Sequence, residues 1–299
     1  MSEPRLLRHT VSGRGLQVAT SGAGSPLLML PSILMTHANW SLLQPYLESH
    51  MLLIMPDPLG SGRSDKPDRP EEYTHEAQAD LMLGLLDVMQ LRDAHVIDSA
   101  LGGATAMAMA GKARDRIRSV VLIEGIFAER QLPLWAARMR DTLGDMLMSR
   151  MAFGSMKKRV VAENLAKATM RDAWADLSKI EREILADAYF DPEADRKAWL
   201  SQLRGAGRDV TPLLDGLQTP VLYLRGELST AGEFLDRSVG FLRTLPNAHV
   251  VAVENGAHDL HIQQRRHVAP GASELPQPRL AIGLRVEIGV GDAFPLDLR

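Results

Sequence analysis

The stretch His95-Val-Ile-Asp-Ser-Ala-Leu-Gly-Gly-Ala104 decides the fold of this chain, because it joins an apolar strand to a helix through a tight turn. The strand part is His95–Ile97, and the helix is predicted from Ala104 to Ala113. Gly102 and Gly103 stand where such a turn is crowded and only small side chains fit. A strand that turns sharply into a helix is the repeating unit of a parallel, doubly wound sheet.

The same alternation of apolar strands and amphipathic helices continues on both sides of this turn. Between Tyr73 and Gln90, apolar residues recur every four positions along one side of a predicted helix. Near-continuous apolar runs predict strands that are buried on both faces: Leu27–Leu30, Leu52–Met55, His95–Ile97, Val120–Ile123, Val221–Leu224 and His249–Val253. We therefore predict an α/β fold with a doubly wound, mostly parallel sheet, whose ligands bind at the carboxyl ends of the strands.

Two segments break this alternation. Residues 127–216 are helical in pattern and rich in methionine, which predicts a helical cap over the strand ends, inserted into a core of residues 1–126 and 217–264. We expect the methionines to pack helices together, and an adaptable apolar pocket is the alternative. Residues 265–299 are rich in Arg, Pro and Gly and form a divergent tail. Three explanations of this tail stay open: a divergent extension, a contact in an oligomer, or the product of a frame change in the gene. An apolar groove left uncovered there would favour a homo-oligomer.

Composition excludes several classes of protein. Hydrophobic residues make up 45% and charged residues 24% of the 299 residues, which suits a globular protein and not a disordered or coiled-coil one. A net charge of −3 gives no reason to expect a nucleic acid or an anionic membrane as partner. The chain has no cysteine, which excludes a disulfide scaffold, a thiolate zinc site and a cysteine nucleophile. Without a signal-like or membrane-spanning apolar run, we expect a cytoplasmic protein.

Residues 98–103 resemble the nucleophile elbow, G-x-S-x-G, of the α/β-hydrolase fold family. In this comparison Gly102 and Gly103 match the glycines after the nucleophile, and Ala100 takes the nucleophile position. Three further stretches resemble the family's oxyanion loop, its turn after strand 4 and its histidine loop: Pro31–Trp40, Pro56–Pro67 and Glu254–His258. The resemblance covers about residues 15–264 and implies the family fold with a helical cap after strand 6.

The resemblance implies that His258 is the catalytic base, and an imidazole suits that role near neutral pH. The family usually places its aspartate after strand 7, where this chain has Ser229. The predicted strand Val120–Ile123 resembles strand 6 of the family, which neighbours strand 5 at about 5 Å, and some members of the family place their acid after this strand. Glu124 directly follows it and is therefore the candidate acid. Glu227 is its rival, and a helix cap or an ion pair is the non-catalytic alternative for Glu124. We expect His261 to be structural.

The oxyanion hole of the family corresponds to the backbone N–H groups of Ile33 and Leu101. Ser32 and His37 belong to the same loop and are candidates for substrate contact. For His37, a solvated loop residue without a role in binding is an equal alternative. Asp98 stands where the family has glycine. A desolvated carboxyl there would have a raised pKa and would bind or protonate substrate, but we favour a role in stabilising the turn.

Ala100 carries no group that can attack a substrate. Ser99 is a poorer candidate, because shifting the motif by one residue puts Ile97 and Leu101 at its crowded positions. Three interpretations stay open. The first is a serine hydrolase for an ester, lactone or thioester of a small apolar molecule, with alanine in place of the serine. The second is a non-hydrolytic, cofactor-free oxygenase or lyase that uses a His258–Glu124 pair, and the third is a ligand-binding pseudoenzyme.

No motif indicates a metal or an organic cofactor. The chain lacks H-E-x-x-H and C-x-x-C, and no G-x-G-x-x-G follows a predicted strand. We therefore expect a small apolar organic molecule as the only partner of the site.

Overall fold

The computed structural model describes residues 3–32, 35–128, 163, 167, 173–188, 195–205, 209–229 and 232–263. Within these residues, eight strands form one sheet in the order β1-β2-β4-β3-β5-β6-β7-β8. The strands are β1 (Arg5–Val11), β2 (Arg14–Ser21), β3 (Ser25–Leu30), β4 (Met51–Pro56), β5 (Ala94–Ser99), β6 (Ile117–Ile123), β7 (Val221–Gly226) and β8 (Ala248–Val253).

Strands β3 to β8 pair in parallel, which confirms the predicted mostly parallel α/β sheet. Each of the six predicted strands lies within an observed one. Strand β5 lies between β3 and β6, with Leu28 opposite Val96 and Ser99 opposite Ile123. Because the three strands run in the same direction, the residues that follow them come together at one edge of the sheet.

An antiparallel hairpin, β1–β2, extends the sheet beyond β4, and we did not predict either strand from the sequence. Its turn residues Ser12 and Gly13 have φ angles of 49° and 77°, as in the tight turns that suit twisted hairpins. Most residues of β1 are exposed or half-buried, and the strand carries Arg5 and Arg8. This edge strand therefore lacks the continuous apolar run by which the buried strands were recognised.

The helices flank the sheet or belong to the insertion. They are α1 (Gln44–Leu47), α2 (His75–Val88), α3 (Gly102–Lys112), α4 (Ala173–Asp176), α5 (Lys179–Ala188), α6 (Arg196–Gly205), α7 (Gly232–Leu242) and α8 (Leu260–Gln263), with 3-10 turns at His37–Trp40, Pro70–Tyr73 and Thr211–Leu213. The predicted helices at 73–90 and 104–113 correspond to α2 and α3. Helix α2 begins at His75 because the Thr74 hydroxyl caps it, accepting the N–H of Ala77 at 3.2 Å.

Apolar side chains cover both faces of the sheet. Alternate residues of β3 point to opposite sides, so that Leu28 packs with helices α2 and α3, whereas Met29 packs with Trp40 and α1. Burial on both faces explains why the parallel strands are apolar throughout instead of alternating.

The described parts of the insertion are helical, in agreement with the pattern of residues 127–216. Trp174 and Leu177 form a small apolar cluster with Leu42 and Ile262, which joins the insertion to the core. The methionines discussed above lie outside the described residues (Met139, Met146, Met148, Met151, Met156 and Met170), and so does the tail of residues 265–299.

Three buried histidines are expected to make the fold sensitive to acid. Burial lowers the pKa of His75, His95 and His261 from 6.5 to about 4, so the folded chain keeps them neutral. Below pH 6.5 the unfolded chain binds protons that the folded chain cannot, and the free energy of unfolding falls as the pH drops towards 4. Each histidine is expected to contribute up to about 3 kcal/mol to this loss.

Urea unfolding between pH 7 and pH 4 measures this effect. His75→Gln is expected to make the pH dependence shallower by one proton, because glutamine cannot take up a proton in either state. A free energy of unfolding that stays constant over this pH range would contradict the assignment.

Candidate active site

Ala100 occupies the turn between β5 and α3 with a φ of 51°. This left-handed conformation costs a non-glycine residue roughly 1–2 kcal/mol, and main-chain hydrogen bonds hold it in place. The N–H of Ala100 donates to the carbonyl of Ile123 at 3.0 Å, and its carbonyl accepts the N–H of Ile126 at 2.9 Å and that of Gly103 at 3.2 Å. Strained residues of this kind cluster at active sites, which favours a functional role for the turn.

Close packing explains the two glycines after Ala100. A Cβ atom on Gly102 would lie 2.8 Å from the carbonyl oxygen of Pro31, and one on Gly103 would lie 2.8 Å from the Cα of Gly125. Helix α3 therefore begins in contact with the segments that follow β3 and β6. Side chains at these positions would push the turn away from both.

Glu124 and His258 form a hydrogen-bonded pair. Glu124 directly follows β6, is completely buried and has a φ of 55°. Its Oε2 lies 2.9 Å from Nδ1 of His258, and its Oε1 accepts the N–H of Gly226 at 2.7 Å. The Ser229 hydroxyl also donates to Oε2. The structure thus brings Glu124 to His258, whereas Glu227 is exposed and its N–H donates to the carbonyl of Val253.

The sequence did not predict that Ser229 donates a hydrogen bond to Glu124. It showed only that Ser229 stands where the family usually has an aspartate. With Gly226, Ser229 supplies two donors from the end of β7 to a carboxylate from the end of β6. Hydrogen bonds of this kind fix the orientation of the carboxylate.

The pair sets the protonation behaviour of His258. Burial alone would lower the pKa of His258, but the hydrogen bond to Glu124 and the negative charges of Asp259 and Glu124 outweigh burial, and the pKa is raised above 6.5. With Nδ1 bonded to the carboxylate, Nε2 is the nitrogen available to exchange a proton with a substrate.

Glu124→Gln is expected to lower the pKa of His258, because burial remains while the hydrogen bond and the charge of this carboxylate are lost. A pH titration of the His258 ring by NMR measures this change. Exposed Glu227→Gln is the matched control and should leave the titration unchanged. A variant Glu124→Gln in which the pKa of His258 equals that of the parent chain would contradict the role given to the carboxylate.

His37 is held by Asp57, which follows β4. The Nδ1 of His37 lies 2.6 Å from Oδ1 of Asp57, and the same oxygen accepts the His37 N–H at 2.9 Å. The second oxygen of Asp57 accepts the N–H of Arg63 at 3.1 Å. Asp57 therefore ties the loop after β3 to the turn after β4, a function that we did not predict from the sequence. The part of His37 in binding substrate stays a prediction.

The candidate oxyanion groups lie on two segments. Leu101 immediately precedes α3, so its N–H belongs to the positive end of that helix. Ser32 is buried, and its carbonyl accepts the N–H of Met35 at 3.2 Å. Ile33 lies outside the described residues. The oxyanion hole stays a prediction, with the N–H of Leu101 as its described half.

Ser99, Asp98 and His261 are all buried. The Ser99 hydroxyl accepts a hydrogen bond from the side-chain amide of Asn39 at 3.2 Å, which favours a structural role over that of a nucleophile. Asp98 is completely buried, beneath the elbow, and has no exposed surface with which to contact a substrate. The His261 ring packs against that of Trp40, with centroids 4.9 Å apart, as expected for a structural residue.

A cavity of about 40 Å³ lies beside the elbow. Pro31 and Gly102 line it and are the sequence neighbours of the candidate residues Ser32 and Leu101. The other lining residues are Leu30, Pro56, Pro58, Leu59, Tyr73, His75, Gln78, Met82, Thr105 and Gln202. These walls carry no charge at neutral pH, and the space suits a small neutral group.

Among the described residues, no group of three or more His, Asp or Glu side chains is arranged to hold a metal ion. Likewise, none of the described helices is long and apolar enough to cross a membrane.

Comparison with known proteins places these features in context. A model of the alpha/beta hydrolase fold family matches residues 25–264. The 2-hydroxymuconate semialdehyde hydrolase of Pseudomonas sp. (strain CF600) is 35% identical over 127 residues, which make up 41% of this chain and 44% of that protein. The match therefore spans less than half of this relative. The 2-hydroxy-6-oxo-2,4-heptadienoate hydrolase of Pseudomonas putida is 26% identical over 244 residues, covering 74% of this chain and 88% of that protein.

Among solved structures, a meta-cleavage product hydrolase from Pseudomonas fluorescens, in a serine-to-alanine mutant with bound acetates, has the same fold. The TM-score is 0.68 with 18% sequence identity, and the match covers 86% of this chain and 92% of that one.

Proposed function

Because this chain belongs to the α/β-hydrolase fold family, we propose that its site is built to hydrolyse an ester, lactone, thioester or related carbon–carbon bond in a small, mostly apolar molecule. Ala100 stands at the position of the nucleophile, so the chain with alanine is a very slow catalyst. Glu124 and His258 act as the acid and base of the site, and the N–H groups of Leu101 and Ile33 bind the developing oxyanion.

One observation carries this proposal. The buried carboxylate of Glu124 lies 2.9 Å from Nδ1 of His258, while Ala100 keeps a left-handed φ of 51° in the turn after the central strand. A strained turn and an oriented imidazole are the parts of a nucleophilic site that cost free energy in the folded chain, and both are present. The hydroxyl group is the missing part.

The chemistry follows from these groups. With serine at position 100, the hydroxyl oxygen would attack the carbonyl carbon of the substrate and pass its proton to Nε2 of His258. Glu124 would stabilise the imidazolium that forms. His258 would then protonate the leaving group, and a water molecule activated by the same nitrogen would release the acyl group.

The relatives support the reaction class more than the substrate. The two curated relatives are named as hydrolases of a muconate semialdehyde and of an oxo-heptadienoate. An apolar substrate is further supported by the helical insertion, which we propose to act as a cap, since Trp174 and Leu177 pack on the core beside the His37–Trp40 turn. A cap over the strand ends gives a concave, water-poor site.

The experiment is an assay of Ala100→Ser on a panel of short esters, lactones, thioesters and vinylogous 1,5-diketones. Turnover by the serine variant on one of these classes, with a covalent acyl adduct seen by mass spectrometry, would support the proposal and name the bond. Failure on every class, by a folded protein, would refute it.

A second candidate function uses the pair without a covalent intermediate. It is favoured by the intact hydrogen bond between His258 and Glu124 in a chain that has alanine at position 100. His258 would then deprotonate a bound substrate, as in a cofactor-free oxygenase or lyase. Turnover by the unmodified chain that disappears in His258→Ala would favour this candidate.

A further inference from the structure

The carboxyl group of Asp98 lies between the two turns that carry Ala100 and Glu124. Asp98 is the fifth residue of β5 and is completely buried. Its Oδ1 accepts the N–H of Ile123 at 3.1 Å, and Ile123 is the residue before Glu124. A side chain of the central strand is thus bonded to the main chain of its neighbour at the point where the acid leaves the sheet.

The second oxygen of Asp98 is fitted against two glycines. A Cβ atom on Gly103 would lie 2.4 Å from Oδ2 of Asp98, and one on Gly125 would lie 3.2 Å from it. Gly103 belongs to the first turn of α3, and Gly125 directly follows Glu124. The carboxyl group therefore fills the space between the elbow and the acid turn.

We propose that Asp98 is a positioning residue, whose side chain joins the elbow to the turn of Glu124 and so fixes the distance between the acid and His258. This inference rests on the proposed function for its importance, since the distance matters only if the pair takes part in catalysis. The proposed role goes beyond stabilising one turn, because the same carboxyl group contacts the turn of Ala100 and the turn of Glu124.

The surroundings of Asp98 favour the neutral form of its carboxyl group. Burial raises the pKa of Asp98 well above its usual value of 3.8, although the hydrogen bond from Ile123 acts in the opposite direction. Glu124 differs from Asp98 in that hydrogen-bond partners reach both of its oxygens, whereas Oδ2 of Asp98 has none among the described residues.

Two variants separate the hydrogen-bond acceptor of Asp98 from its ability to ionise. Asp98→Asn keeps an acceptor for the Ile123 N–H and nearly the same volume, so the pKa of His258 is expected to stay where it is. Asp98→Ala removes the acceptor and leaves a buried N–H without a partner. We expect the pKa of His258 to fall in this variant, because the carboxylate of Glu124 is no longer held against the ring.

The measurement is an NMR pH titration of His258 in the chain with Ala100, together with hydrogen exchange of the Ile123 amide. Val96→Ala is the matched control, since Val96 is completely buried and lies two residues earlier on the same face of β5. It should lower the melting temperature without moving the titration. Because no turnover is measured, the result does not depend on the proposed function.

Three outcomes would overturn the inference. The first is a pKa of His258 that is unchanged in folded Asp98→Ala. The second is an equal change of this pKa in Val96→Ala. The third is a fall of this pKa in Asp98→Asn as large as in Asp98→Ala. If Asp98→Ala does not fold, the inference is tested by the His258 titration in Asp98→Asn and by the hydrogen-exchange rate of the Ile123 amide in the unmodified chain. Exchange as fast as in an exposed loop would refute the hydrogen bond on which the inference depends.

Discussion

Ala100→Ser is expected to raise the hydrolysis rate by about 10³-fold to 10⁶-fold on a suitable substrate. Removing the serine of a well-studied serine protease costs on the order of 10⁶ in kcat, and the oxyanion hole and binding alone retain about 10³–10⁴ of catalysis over water. Serine at position 100 adds the hydroxyl to a turn that already holds the left-handed φ of 51°. The measurement is kcat/KM on the substrate class found in the panel, together with a burst of acyl-enzyme.

The control for this prediction is Ala100→Gly, which changes the same position without adding a nucleophile. Glycine adopts a positive φ freely, so we expect this variant to be at least as stable as the parent chain and equally inactive. A serine variant that folds, binds substrate and is no faster than the glycine variant would contradict the assignment of position 100.

His258→Ala in the Ala100→Ser chain is expected to abolish the recovered activity. In the same protease, loss of the histidine costs about as much as loss of the serine, on the order of 10⁶, because the two act as a unit. The reason here is that, among the residues that the structure describes, Glu124 orients no ring nitrogen other than Nδ1 of His258, which lies 2.9 Å from its Oε2. The measurement is kcat at pH values above the pKa of His258, where the base form dominates.

His50→Ala serves as the control for this prediction, because His50 is an exposed histidine. Its removal should leave kcat unchanged in the serine variant. If His258→Ala retained more than a few per cent of the activity, another base would have to serve the reaction, and the pair would be structural.

The fold was predictable where a local pattern carried the information. The parallel strands were recognised as apolar runs, since burial on two faces leaves no polar alternation, and Glu124 was found because it ends the strand beside β5. The β1–β2 hairpin was missed because an edge strand with Arg5 and Arg8 has no such run.

The partners of Glu124 and Asp98 were not predictable in the same way. Gly226 and Ser229 lie about a hundred positions from Glu124 in the chain, and no local spacing indicates that they donate to its carboxylate. Asp98 looked like an exception to a glycine motif, and its fit against Gly103 and Gly125 became visible only in three dimensions. Tertiary contacts of this kind have no signature in one sequence.

The turn at residue 100 has a consequence for how such a protein changes over time. Its shape depends on main-chain hydrogen bonds with Ile123, Ile126 and Gly103, and none of these involves the side chain of residue 100. Reactivity is thereby separated from folding at this position. If residue 100 is the nucleophile position, as we propose, alanine and serine can replace each other there without loss of the fold, and a single codon change would supply the hydroxyl group.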